Sequence, residues 1–204
     1  DVVSIQVKKN HKSFETGKIL KIISPSKNRL KPYCQHYDQC GGCKTQHIDY
    51  GTQLQWKQDV VTNALERIGG FKDLKILPII GCENTKHYRN KLDYAVSNKR
   101  WLSNDEKNSD VTFNRNGIGF HLAGMFDKVL DVHECFHMPD LNNTIRNFIR
   151  DTAFALGISF YDIMEKRGCL RNILVRNNVK NEWMLCFQVY DMEDNFMRLL
   201  ESLK

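Results

Sequence analysis

The sequence lacks any hydrophobic run that approaches the 18 or so residues of a transmembrane helix. Its first thirty residues also lack the basic start and apolar middle of a secretory signal peptide. We find no internal repeat and no low-complexity segment, which argues against repeat architectures. These absences predict a cytoplasmic protein without a membrane partner.

The sequence carries a mild excess of positive charge. Among 204 residues there are 30 Lys and Arg against 24 Asp and Glu, a formal net charge of +6. The hydrophobic share of 41% argues against disorder, and the length suits one substantial core, or a core with a small satellite. A basic excess fits either a polyanionic partner or a solubilising surface, so charge does not decide the function.

Three cysteines lie in one short loop without helical or strand periodicity, in the pattern C-x5-C-G-G-C: Cys34, Cys40 and Cys43. The total of seven cysteines is odd, and a reducing compartment disfavours a disulfide framework. Gly41 and Gly42 lack Cβ atoms, so the backbone can curl and point its amides toward sulfur. This loop therefore indicates metal ligation rather than packing.

The best candidate for a fourth ligand is Cys135, which lies in the polar segment DVHECFHMP directly after a predicted strand. Cys82 follows the apolar run ILPIIG. Cys169 and Cys186 lie among strand residues, where an inert buried thiol is the common outcome.

Three interpretations of these cysteines remain open from spacing alone. An iron-sulfur cluster tolerates one long gap and a distant cysteine. A zinc site could use the C-x2-C pair with histidines, for which His36, His47, His133 and His137 are candidates. The third interpretation is a set of unligated thiols.

Hydrophobic periodicity predicts an α+β fold. Alternation predicts strands within residues 1–25, 92–96, 118–122, 170–178 and 182–190. Helical spacing predicts helices capped by Asp49, beginning near Pro139, and within 195–204. We expect a polar loop at 101–110, and helices packed on one face of a largely antiparallel sheet.

A second candidate site is the segment Y-R-N-K at the start of a predicted strand, comprising Tyr88, Arg89, Asn90 and Lys91. The aromatic ring could stack on a base, the amide could bind a base edge, and the cations could bind phosphates. The alternative is a solvated strand end that binds nothing.

The segment PYCQHYDQCGGCKTQHIDYGTQLQWKQDVVTNALERIGG closely resembles bacterial RNA uracil-5-methyltransferases that modify 23S ribosomal RNA. The resemblance continues through HYRNKLDYAV, GIGFHLAGMFDKVLDVHEC and LRNILVRNN. In that family three loop cysteines and one cysteine beyond the central strands ligate a 4Fe-4S cluster. The resemblance implies this role for Cys34, Cys40, Cys43 and Cys135.

The resemblance also implies a domain organisation. Residues 1–26 are expected to be part of a TRAM domain, a small β-barrel of the OB type, and residues 27–204 the central iron-sulfur and RNA-binding domain. The methyltransferase domain is expected to be absent, since no residue matches the family's S-adenosylmethionine-binding or catalytic motifs. We therefore assign no catalytic or cofactor-binding residue and expect the chain alone to be inactive, although its parent enzyme would use S-adenosylmethionine.

The expected partner is 23S ribosomal RNA, bound by a monomer. Two alternatives stay open, an iron-sulfur electron-transfer protein and a zinc-stapled RNA-binding module. The C-x2-C-x2-C run of bacterial ferredoxins is missing, which disfavours the first alternative.

Overall fold

The computed structural model describes residues 1–203 and divides them into two compact units. One unit combines Asp1–Pro32 with Thr45–Gly81. The other combines Tyr33–Lys44 with the chain from Cys82 onward. The cysteine loop and the YRNK segment therefore both belong to the second unit. Within residues 1–203, no helix is long and apolar enough to cross a membrane.

The first unit contains a β-hairpin and one helix. Strands β1 (Val2–Asn10) and β2 (Glu15–Ser24) pair antiparallel, as the alternation in this region predicts. Helix α1 (Tyr50–Asn63) continues into a π-helical turn, Ala64–Ile68. The predicted cap is confirmed, because the carboxylate of Asp49 accepts a hydrogen bond from the Thr52 amide at 2.9 Å.

The division into units does not follow the predicted domain boundary after residue 26. The hairpin shares its unit with residues 27–32 and 45–81, whereas residues 33–44 belong with the chain from Cys82 onward. A hairpin is one element of a barrel, and its assignment to a TRAM barrel stays a prediction.

The second unit is built on a five-stranded sheet in the order β5-β4-β3-β6-β7, with every neighbouring pair antiparallel. Its strands are β3 (Lys91–Ser97), β4 (Gly117–His121), β5 (Val129–Asp131), β6 (Leu170–Asn177) and β7 (Trp183–Val189). Its helices are α2 (Asn104–Lys107), α3 (Leu141–Ala155) and α4 (Asp194–Ser202). The predicted α+β class with a mostly antiparallel sheet is confirmed.

The core of this unit lies on the central strands. Tyr94 of β3, Ile118 of β4 and Ile173 of β6 are fully buried, together with Ile149 of α3. Each buried isoleucine contributes roughly 1.5 to 3 kcal/mol relative to an exposed one. This core fixes the start of β3, where the YRNK segment lies, and the end of β4, which contacts the cysteine loop.

The inner face of α3 differs from the apolar stripe that its spacing predicts. Ile149 is buried, but Leu141 and Phe148 are 44% and 43% exposed. The polar side chains of Asn142 and Arg146 are buried instead. The contact between α3 and the sheet therefore contains the polar side chains of Asn142 and Arg146.

Candidate metal and RNA-binding sites

The cysteine loop is anchored to the end of β4. The Cys40 amide donates to the His36 carbonyl at 2.8 Å, and the Gly41 amide donates to the His121 carbonyl at 3.1 Å. A Cβ atom on Gly41 would lie only 2.7 Å from that same carbonyl oxygen. Glycine is thus required here by close backbone approach, a reason that the sequence alone does not reveal.

The second glycine serves the role that the spacing predicts. The Gly42 amide donates to the sulfur of Cys40 at 3.4 Å, and this hydrogen bond lowers the pKa of that thiol. Burial acts in the opposite direction and is the stronger effect, so the pKa of Cys40 is raised. An amide directed at sulfur would stabilise a thiolate once a metal replaces the proton.

Cys135 follows β5 and is held by α3. Its amide donates to the side-chain oxygen of Asn143 at 2.8 Å, and the Asn143 side-chain amide returns a 3.3 Å hydrogen bond to the Cys135 carbonyl. The thiol is buried, which raises its pKa to about 11. The helix therefore fixes the backbone of this cysteine on both sides of its Cα atom.

Electrostatic effects connect the four predicted ligands. Burial raises the pKa of Cys34, Cys40 and Cys135, and Cys43 adds to each of these increases. Cys40 acts on Cys135 in the same way. The convergence of the four sulfur atoms on one centre stays a prediction.

Metal ligation itself stays a prediction. Among residues 1–203, no group of three or more His, Cys, Asp or Glu side chains is arranged to hold a metal ion. An iron-sulfur cluster at these cysteines is therefore a proposal that rests on the chemistry of thiolate donors.

The other cysteines have different surroundings. Cys169 is fully buried, and burial followed by Glu193 raises its pKa to about 11. This agrees with the inert buried thiol predicted there. Cys186 is exposed instead, so the prediction of a buried thiol at that position is wrong. Cys82, which follows the apolar run, is exposed as well.

A histidine lies beside the cysteine neighbourhood. The Nε2 atom of His137 is 3.1 Å from the sulfur of Cys43. Burial, followed by the charge of Arg89, lowers the pKa of His137 to about 4, so this imidazole is neutral near pH 7. His137 therefore contacts Cys43 on one side and Arg89 of the YRNK segment on the other.

All four residues of the YRNK segment are exposed, and Tyr88 presents half of its surface to solvent. The ring of Tyr88 meets that of His137 edge-on at 5.5 Å, and the Arg89 guanidinium lies 5.7 Å from the Tyr88 ring centre. The Arg89 amide donates to the His137 carbonyl at 2.8 Å. The side chains thus project from a backbone that is tied down.

Two further features extend this surface. Lys91 begins β3 and pairs with Arg176 of β6, so two exposed cations lie side by side. The ammonium of Lys86 lies 4.3 Å from the ring centre of Tyr33 and 5.0 Å from that of Phe136. Sequence reasoning missed this cluster, because its residues come from separate segments. We call Tyr33, Lys86, Tyr88, Arg89 and Lys91 the basic-aromatic surface.

The whole chain aligns with bacterial proteins named uncharacterized RNA methyltransferases. The relative from Bacteroides thetaiotaomicron is 40% identical over 204 residues, which is 100% of this chain and 45% of that protein. The relative from Porphyromonas gingivalis is 41% identical over 91% of this chain and 41% of its own length. This chain is a homologue of RNA methyltransferases. It spans less than half the length of these relatives.

A solved structure shares the fold. The Pyrococcus abyssi tRNA (uracil-54, C5)-methyltransferase, in complex with S-adenosyl-L-homocysteine, superposes with a TM-score of 0.59 and 22% identity. The similarity covers 95% of this chain and 40% of that one. No protein-family model matches the sequence. The predicted relationship to RNA methyltransferases is therefore supported, whereas the 23S target and the iron-sulfur cluster stay predictions.

Proposed function

We propose that this chain is the RNA-binding and iron-sulfur portion of an enzyme that methylates C5 of a uridine in 23S ribosomal RNA with S-adenosylmethionine. The observation that carries the proposal is the end-to-end similarity to RNA methyltransferases, combined with an exposed basic-aromatic surface next to the cysteine site. This similarity favours an RNA enzyme over the electron-transfer protein that cysteine spacing alone leaves open.

The basic-aromatic surface suits RNA rather than a duplex DNA groove. Sequence-specific RNA recognition targets unstacked bases, which stack on aromatic rings or on arginine planes. Tyr88 and Arg89 offer such surfaces side by side, while Lys91 and Arg176 offer charge to phosphates. A methyltransferase acting on C5 must extract its base from the stack, so a protein surface that holds the neighbouring bases has a clear use.

The cysteine site fits an iron-sulfur cluster by the chemistry of its donors. Thiolates are the usual ligands of such clusters, and the Gly42 amide is already directed at the sulfur of Cys40. Cys34, Cys40, Cys43 and Cys135 would hold the cluster, which when bound would tie the loop to the segment after β5. That staple would also fix His137, and through it the backbone of Arg89.

We assign no step of methyl transfer to residues 1–203. In the proposed parent reaction a cysteine thiolate adds to C6 of uracil, C5 then takes the methyl group, and a base removes the C5 proton. No residue of the sequence matches the family's catalytic or S-adenosylmethionine-binding motifs. We therefore expect this chain alone to bind RNA without methylating it.

The Lys91→Ala substitution tests the electrostatic part of the proposal. Each phosphate contact releases counterions, so loss of one contact should weaken binding to every RNA and lower the salt slope by about 0.7 to 0.9. The measurement is a titration of 23S ribosomal RNA fragments at several salt concentrations. Lys166→Ala removes another exposed charge, which lies before the start of β6, and should change neither quantity. Equal behaviour of both variants would count against the proposed surface.

The Tyr88→Ala substitution should behave differently in the same titrations. Loss of a stacking platform costs roughly 1 to 3 kcal/mol of binding free energy for one base, with almost no change in salt slope. Tyr88→Phe keeps the ring and serves as the matched control. An unchanged affinity of the alanine variant would show that Tyr88 does not stack on RNA.

A further inference from the structure

One side of the five-stranded sheet in the second unit packs against helices. Tyr94 of β3 and Ile173 of β6 belong to the same buried core as Ile149 of α3 and Leu199 of α4. Successive side chains of a strand point to opposite faces of the sheet. Residues that alternate with these core positions therefore lie on the side of the sheet opposite to the helices.

The strand register defines what this second side presents, because paired residues on neighbouring antiparallel strands share a face. Nine residues form three rows across β3, β6 and β7: Lys91, Arg176 and Met184; Asp93, Leu174 and Cys186; Ala95, Asn172 and Gln188. Leu174, Ala95 and Asn172 are half-buried, and the other six are exposed. Neighbouring rows are about 7 Å apart along a strand, and neighbouring strands are about 5 Å apart. We call these nine residues the open sheet face.

The cations of the open sheet face lie at its end beside the YRNK segment. Lys91 is the last residue of that segment and pairs with Arg176 of β6. Within residues 1–203, neither side chain forms an ion pair. The amide of Asn177 donates to the carbonyl of Asn90 at 3.1 Å, which joins the backbone of the segment to β6. The basic-aromatic surface is therefore continuous with the open sheet face, and both cations are available to an anionic partner.

The composition of the open sheet face favours RNA over a protein partner. Protein interfaces have cores that are depleted of charge and rich in aromatic side chains. The nine residues include no aromatic ring, and Met184 is their only large apolar side chain with half of its surface exposed. Two cations against the single carboxylate of Asp93 leave a basic excess. This balance suits phosphates better than an apolar protein surface.

The row farthest from the cations supplies hydrogen-bonding groups that suit base edges. Asn172 and Gln188 pair across β6 and β7, and each side-chain amide carries both donors and an acceptor. Such groups bind the edges of unpaired bases, whereas duplex RNA is recognised mainly through its shape and its phosphates. Leu174 and Cys186 lie between this row and the cations. The surface of β6 and β7 thus leads from phosphate-binding to base-binding side chains across uncharged residues.

We propose that the open sheet face continues the RNA-binding surface and takes a single-stranded RNA segment of about two or three nucleotides, with phosphates at the cations and base edges at the two amides. This inference rests on the proposed RNA-binding function. It goes beyond that function because it assigns a single-stranded substrate and its path away from the YRNK segment. Four-stranded sheets of RNA-recognition modules hold a similar number of bases on aromatic rings. Without such rings, hydrogen bonds and phosphate contacts must supply most of the affinity.

The first test is a titration of the full chain with a single-stranded RNA of about ten nucleotides at several salt concentrations. Arg176→Ala removes one phosphate contact, so it should weaken binding and lower the salt slope by about 0.7. Arg198→Ala is the matched control, because this exposed arginine belongs to α4 on the opposite side of the sheet. The control should change neither quantity.

Gln188→Ala tests the base-binding row in the same titration. Loss of one hydrogen bond should weaken binding of the single strand about 2- to 10-fold and leave the salt slope unchanged. Binding of a duplex of the same sequence should not change, since its base edges are already paired. Gln188→Glu keeps the size of the side chain and adds a negative charge, so it should weaken binding more than the alanine variant does.

Cys186 offers a footprint of the bound RNA, because its exposed thiol lies in the middle row of the open sheet face. Saturating single-stranded RNA should slow the reaction of this thiol with N-ethylmaleimide several-fold, as measured by mass spectrometry of the labelled peptide. Met197→Cys places a thiol at an exposed position of α4 on the opposite side of the sheet. That thiol should react equally fast with and without RNA.

Three outcomes would overturn the inference. If the single strand binds the unaltered chain, yet Arg176→Ala and Gln188→Ala bind it as tightly as Arg198→Ala does, RNA takes another path and the proposed function stands. If Cys186 becomes protected without RNA as the protein concentration rises, a second copy of the chain covers the face instead. If the unaltered chain binds neither the oligonucleotide nor fragments of 23S ribosomal RNA, the inference and the proposed RNA binding both fail.

Discussion

Replacing Cys135 with Ser should remove most of the bound iron and sulfide from the anaerobically reconstituted chain. Cys135 comes from a different part of the chain than the loop cysteines, and it alone would join the loop to the segment that α3 fixes. Without it three sulfurs on a short loop remain, and a thiolate-held cluster needs its full ligand set. Iron and sulfide analysis, together with the visible spectrum, measures the effect.

Exposed cysteines supply the control for this experiment. Cys186→Ser in β7 removes a thiol from a solvent-facing position and should leave the iron content unchanged. Full iron retention in Cys135→Ser would refute the ligand assignment. If metal analysis of the unaltered chain finds zinc in place of iron, the zinc-stapled RNA-binding module replaces the iron-sulfur proposal.

The cysteine loop could be singled out from sequence because its signal is local. Three cysteines in a loop with two glycines and no regular periodicity require an ordering force other than a hydrophobic core. The fourth ligand, Cys135, is proposed from its polar surroundings after a strand, and its ligation stays a prediction. What sequence does not reveal is that Gly41 approaches the His121 carbonyl closely, because that contact depends on how β4 ends.

Strands and helices with strong periodicity could also be predicted. The alternation around Tyr94 and the spacing around Ile149 identify β3 and α3, and the cap at Asp49 follows from its position before a periodic run. A strand was expected before the Cys135 segment, but β5 could not be given bounds because its three residues are too few to show a period. The predicted polar loop at 101–110 contains the short helix α2, whose Ser103 and Glu106 form a capping box.

The buried side of α3 shows where helical periodicity fails as a guide. Periodicity assumes that the inner face of a helix is apolar, yet Arg146 and Asn142 occupy that face. Their partners come from β3 and from neighbouring positions of the helix itself, and no local pattern announces them. Sequence rules of this kind break most often at functional sites.

A glycine in β4 is predicted to be essential for the sheet edge that leads to Cys135. Gly119 is buried and pairs with Asp131 of β5. A Cβ atom there would lie 2.1 Å from the Leu130 carbonyl oxygen and 2.8 Å from a methyl group of Val132. Both contacts are far inside van der Waals separation, and the first involves backbone that cannot rotate away. An alanine must therefore push β5 from β4.

Gly119→Ala should consequently lower the free energy of unfolding by about 3 kcal/mol or more, at the upper end of overpacking effects. The hydrogen bond from the Val132 amide to the Ile118 carbonyl, now 3.1 Å, should weaken first. Urea unfolding measures the global change, and hydrogen exchange of the amides in β4 and β5 locates it.

Val179→Ala, at a fully exposed turn position, serves as the control and should change the free energy of unfolding by less than about 0.5 kcal/mol. If Gly119→Ala unfolds at the same urea concentration as the unaltered chain, β5 does not pack on β4 as closely as the structure shows. Since the short segment 132–135 carries the chain from β5 to Cys135, the same variant should also lower iron uptake, which would link the edge of the sheet to the cysteine site.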